Sequence, residues 1–110
     1  MDAEIKADIE QQLAENPVLV YMKGTPQFPQ CGFSAQVAQA MTEVGKPFAY
    51  VNILEAPELR QNLKEYANWP TYPQLWVKGE LVGGCDIIME LYRSGQLKDL
   101  IGSAVEENNA

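Results

Sequence analysis

Cys31 stands alone in the segment KGTPQFPQCGFS, residues 23–34, and Ser34 follows three positions later. In a C-x-x-C pair the second thiol attacks the mixed disulfide made by the first, and exchange with protein disulfides depends on that step. A serine hydroxyl cannot make the attack. Cys31 can accept a thiol adduct or ligate a metal, but it has no neighbour to resolve the adduct. Either role requires the thiolate, and a helix N-terminus lowers a thiol pKa from ~8.5 toward roughly 3.5–7.5. Gly24, Pro26 and Pro29 mark an irregular loop ahead of an amphipathic segment, so Cys31 is expected where loop becomes helix. Lys23 closes the preceding apolar run and can add a second positive influence. The competing reading, a buried and inert cysteine, fits poorly with a Gly/Pro loop.

Two further segments can carry chemistry. In WPTYP (69–73) two prolines flank Thr71 and Tyr72 just before an apolar run. If the Tyr72–Pro73 bond is cis, the Tyr72 backbone is left free to pair with an extended peptide; otherwise the segment is an ordinary strand entry. In GGCD (83–86), Gly83 and Gly84 allow close backbone approach, and the helix start with Asp86 offers donors and a carboxylate. The plain alternative is a simple cap. Cys85, the second of two cysteines, reads more readily as structural. The chain has no histidine, which excludes a Cys–His nucleophilic pair, a His general base and His-ligated metal.

The elements that position these residues follow from periodicity. Ile5, Ile9 and Leu13 recur every four residues and predict a helix over 3–15, stopped by Asn16-Pro17. VLVYM (18–22) predicts a buried central strand. Phe33, Val37, Ala40, Met41 and Val44 mark one helical face, ended by Gly45 as C-cap and Pro47. PFAYVNI (47–53) reads as a second strand. Pro57 opens PELRQNLKEYA at N1, with Leu59, Leu63 and Tyr66 as its buried stripe. QLWV and ELVGG, joined at Lys78-Gly79, predict an antiparallel hairpin. Asp86 is expected to cap IIMELYRSG, which Gly95 ends, and QLKDLIGSAV closes the chain ahead of a frayed tail over 106–110. The β-α-β unit gives parallel strands with a right-handed crossover, and the hairpin adds antiparallel ones. The expected fold is α/β and thioredoxin-like: a mixed four-stranded sheet with helices on both faces and an extra N-terminal helix.

With 110 residues and 46% hydrophobic content, the chain suits one domain around one core. Its net charge of −7 argues against nucleic acid, which needs clustered Lys and Arg. The apolar runs are too short to span a bilayer, and the acidic N-terminus resembles neither signal nor transit peptide. A cytoplasmic protein is the expectation.

In this order and spacing, CGFS after YMKG, then WPTYPQLWV, then GELVGGCDI closely resemble the monothiol glutaredoxins, above all the bacterial single-domain CGFS type. The resemblance covers nearly the whole chain. It implies a protein that binds glutathione and shares a 2Fe-2S cluster between the two protomers of a homodimer. By the resemblance, Cys31 is the redox-active and iron-ligating cysteine, while Lys23, Arg60, Tyr72, Cys85 and Asp86 hold glutathione. It also implies a BolA-like partner, apo iron–sulfur proteins as cluster acceptors, and a role in cluster storage, transfer and iron homeostasis. Physical reasoning agrees. Glutathione is an extended tripeptide with two carboxylates and one amine; Lys23 and Arg60 can take the glycine carboxylate, Asp86 and its amide the γ-glutamyl end. A 2Fe-2S cluster commonly needs four thiolates, so two Cys31 and two glutathione thiolates complete the set. The rival readings are a glutathione-dependent monothiol oxidoreductase, of weak activity at most, and a pure interaction module.

Overall fold

The computed structural model describes residues 1–109. The chain runs α1 (Ala3–Glu15), β1 (Val18–Met22), α2 (Gly32–Val44), β2 (Ala49–Asn52), a 3-10 turn (Ile53–Glu55), α3 (Pro57–Ala67), β3 (Gln74–Val77), β4 (Glu80–Gly83), α4 (Cys85–Ser94) and α5 (Gln96–Asn109). The sheet order is β2-β1-β3-β4. β1 pairs parallel with β2, Met22 standing opposite Asn52, and antiparallel with β3. Helices cover both faces, which is the thioredoxin-like arrangement expected.

All five residues of β1 are buried because each face of the strand meets its own core. Val18, Val20 and Met22 pack with Val37, Met41, Ile88, Leu97 and Ile101 from α2, α4 and α5. Leu19 and Tyr21 turn the other way, onto Ile9, Leu13, Leu59 and Leu63 of α1 and α3. A strand buried on both sides reads as an unbroken apolar run, as VLVYM does.

Local signals place most boundaries. Asp2 caps α1 by accepting from the Glu4 and Ile5 amides, Pro57 sits in the first turn of α3, and Gly45 and Gly95 end α2 and α4 in the left-handed conformation. The β3–β4 turn carries positive φ at Lys78 and Gly79, which suits a two-residue hairpin.

Four expectations change. Phe33 belongs to the sequence pattern of the buried face of α2 but is 60% exposed, because the buried face starts at its neighbour Ser34, which is fully buried. The second strand is limited to Ala49–Asn52, because Asn52 accepts from the Leu54 amide and turns the chain into the 3-10 turn. The cap of α4 is Gly84, not Asp86, which lies in the first turn. Finally, α5 continues to Asn109 over four of the five residues expected to fray, and Glu107 pairs with Lys78 at the hairpin. Ala110 lies outside the described residues.

Candidate functional site

The site forms at the carboxyl end of β1, where β1, β2 and α2 meet, the usual place for sites in α/β sheets. Cys31 is the N-cap of α2. Its Sγ accepts from the Ser34 amide at 3.3 Å and lies 3.3 Å from Ser34 Oγ. Ser34 is fully buried and accepts from the Lys23 amide at 3.1 Å. With its oxygen engaged by Lys23, the hydroxyl hydrogen is free to point at sulfur. Burial of the Cys31 thiol opposes ionisation, but hydrogen bonds from Ser34 and the Phe33 amide, together with the Lys23 charge, hold it below the ordinary thiol range. The Ser34 hydroxyl is the largest of the lowering influences, and the main-chain amides of the helix start, the influence expected at this position, come after it. The serine thus has a positive role beyond the absence of a resolving thiol.

The loop before Cys31 is tied down along its length. Thr25 and Phe28 exchange main-chain hydrogen bonds, and the Gln30 amide donates to the Lys23 carbonyl. Gly24 has φ +92°, and a Cβ there would lie 2.5 Å from the Phe28 carbonyl oxygen, so only glycine lets the loop close. Phe28 is consequently held at the tip, 75% exposed.

Beside the thiol lies a cleft of about 550 Å³ lined in part by Lys23, Arg60, Tyr72, Cys85 and Asp86. The structure therefore gathers five of the six residues singled out in the sequence around one cavity. Cys31 is not among the lining residues; its neighbours Lys23 and Phe33 are. Lys23 and Arg60 supply positive charge from the β1 end and from α3. Asp86 and the first-turn amides of α4 supply a carboxylate and main-chain donors, and α4 has no side-chain cap competing for them.

The wall between these ends is WPTYP. The Tyr72–Pro73 peptide is cis. The Tyr72 ring is 7% exposed and its hydroxyl donates to the Arg60 carbonyl at 2.6 Å, while its main chain has no hydrogen-bond partner among the described residues. Burial pushes that hydroxyl up to about 12, against the pull of Arg60. Buried Gln74 fixes the same wall by donating to the Thr71 and Trp69 carbonyls while accepting from Trp76 Nε1. Gly84 packs against the Trp69 indole; a Cβ there would sit 3.3 Å from Nε1.

Cys85 differs from Cys31. Burial, Asp86 and the neighbouring Cys31 push its thiol up, against a smaller opposing effect of Arg93. Both cysteines are free, and among the described residues no group of three or more Cys, Asp or Glu could hold a metal ion. Sequence reasoning missed Lys64, Trp69, Phe33 and Ile87 as cleft residues. Lys64 was within reach of it, standing one helical turn after Arg60. It also missed the hydrogen bond from Ser34, which depends on tertiary contact with Lys23.

The glutaredoxin family profile matches residues 18–82. Glutaredoxin 4 of Escherichia coli K12 is 61% identical over 93 residues, 84% of this chain and 81% of that protein. Glutaredoxin 4 of Haemophilus influenzae is 52% identical over 100 residues, 91% of this chain and 94% of its own. Among solved structures, reduced poplar apo GrxS14 superposes with a TM-score of 0.78 at 48% identity, covering 92% of this chain and 93% of that one. The described residues contain no helix long and apolar enough to cross a membrane. The chain belongs to the glutaredoxin family.

Proposed function

We propose that this chain is a monothiol glutaredoxin that binds glutathione and carries a 2Fe-2S cluster between two protomers, serving cluster storage, transfer and iron homeostasis. The observation that carries the reading is a single activated thiolate, supported by Ser34 where a second thiol would stand, beside a cleft cationic at one end. The residues fit the cluster as cargo. One chain offers one low-pKa thiolate and lacks, among the described residues, a metal-holding group of its own. Four thiolate ligands then come from two Cys31 and two glutathiones. Lys23 and Arg60 bind the glycyl carboxylate of glutathione. The Tyr72 main chain pairs with its cysteinyl unit, and the Cys85–Asp86 turn takes its γ-glutamyl end.

A homodimer when loaded, a BolA-like partner and apo iron–sulfur proteins as acceptors belong to the same reading. So does a cytoplasmic setting, where thiols stay reduced. The lowered Cys31 pKa supports a second, minor activity. The thiolate can attack the glutathione sulfur of a mixed disulfide, releasing the other thiol, and a second glutathione then resolves the adduct as oxidised glutathione.

Cys31→Ser and Cys85→Ser separate the ligands. After anaerobic reconstitution with iron, sulfide and glutathione, the first should be colourless and the second should retain most of the visible absorption. Loss of the cluster in Cys85→Ser alone would overturn the ligand assignment.

A further inference from the structure

Asn52 ends β2, opposite Met22 at the end of β1. Its Oδ1 accepts two amides from different segments: Gly24 at 2.9 Å and Leu54 at 3.0 Å. The Gly24 amide follows Lys23 directly. The Leu54 amide lies in the 3-10 turn that leads, through Ala56, into α3 and Arg60. One carbonyl oxygen thus joins the segment carrying Lys23 to the segment carrying Arg60, and both cations line the same cleft.

The remaining main-chain ties make Asn52 the junction of the two. The Lys23 amide is held by Ser34 Oγ and its carbonyl by the Gln30 amide, so the residue is fixed toward α2 and its own loop. None of those bonds reaches α3. On the other side, the Arg60 amide donates to the Ala56 carbonyl at 2.9 Å, placing Arg60 one turn from the segment Asn52 caps. The Gly24–Asn52 bond spans 28 residues of sequence and carries the link between the two segments one step past the end of the β1–β2 ladder, whose last pair is Met22 and Asn52.

We infer that Asn52 is a positioning residue that sets the separation of Lys23 and Arg60, and so the selectivity of the cleft for a ligand with a free carboxylate at that end. The inference rests on the reading that these two cations hold the glycyl carboxylate of glutathione. Asn52 touches no ligand in this role. It acts through the two segments.

Calorimetry on the apo protein tests it with two ligands, reduced glutathione and its glycine monoethyl ester, which lacks that carboxylate. Wild type should prefer glutathione by about tenfold or more, as a charge-assisted pair of bonds implies. Asn52→Ala should cut that preference to about a third or less while binding the ester nearly as wild type does. Asn52→Ser separates local from long-range effects, because a serine hydroxyl still caps the 3-10 turn but is one bond too short for Gly24. It should lose the preference as Asn52→Ala does, and it serves alone if the alanine variant does not fold. If wild type fails to distinguish the ligands, the carboxylate clamp is refuted and the inference with it. If wild type distinguishes them and Asn52→Ser does so equally well, the inference alone is overturned.

Discussion

Ser34→Ala removes one oxygen and tests how the thiolate is made. In the native chain that oxygen is fully buried, accepts from the Lys23 amide at 3.1 Å and lies 3.3 Å from Cys31 Sγ. A hydrogen bond to a charged group is worth roughly 1.5–3 kcal/mol. Sulfur is a diffuse acceptor and Cys31 is partly exposed, so screening brings the value to about 1 kcal/mol. That is about 0.7 of a pKa unit, or roughly fivefold less thiolate at pH values below both midpoints. The assay is thiolate absorbance near 240 nm against pH in a Cys85→Ser background, paired with the rate of alkylation. The sign extends to stability. The folded pKa of Cys31 lies below its unfolded value of roughly 8.5, so the thiolate stabilises the fold fully above that value. The contribution fades as pH falls through the folded midpoint. Ser34→Ala should compress that window from below, and it should also cost about 1–3 kcal/mol at any pH because the Lys23 amide loses its buried partner. A midpoint unchanged in Ser34→Ala would refute the role given to the hydroxyl and leave the main-chain amides and Lys23 as the source of activation.

Lys23→Ala and Arg60→Ala should each weaken glutathione binding by roughly tenfold or more and shorten cluster lifetime, with little change in melting temperature; unchanged affinity in both would remove them from the site. Purified protein should reduce protein disulfides far more slowly than a C-x-x-C glutaredoxin, because Ser34 cannot resolve a mixed disulfide. Comparable rates would count heavily against a cluster carrier.

Element types were legible because their signals are local. VLVYM, β-branched and of strand length, reads as a buried central strand, and the Pro57, Gly45 and Gly95 boundaries follow from backbone chemistry. What was not legible depended on tertiary contact. Phe33 fits the apolar period of α2, yet polar Ser34 takes the buried position in the first turn, so apolar periodicity could not reveal that Phe33 faces solvent. Asp86 is a better cap by residue type, but α4 begins at Cys85 and the cap position falls to Gly84, whose backbone lies against Trp69. The site residues Lys23, Arg60, Tyr72, Cys85 and Asp86 came from motif order, and the fold brings them to one cleft. Neither Asn52 nor Gln74 drew a role from the sequence, although Gln74 lies inside WPTYPQLWV. Their role exists only once Gly24 meets Asn52 across 28 residues and Gln74 folds back onto Thr71.

Native mass spectrometry of the anaerobically reconstituted protein, recorded with its visible spectrum, tests the central claim most directly. The account predicts a coloured species of two chains, one 2Fe-2S cluster and two glutathiones, which bleaches and falls to monomers when glutathione is stripped. A cluster that persists in glutathione-free protein, or a protein that stays colourless and monomeric with iron, sulfide and glutathione all supplied, would contradict it.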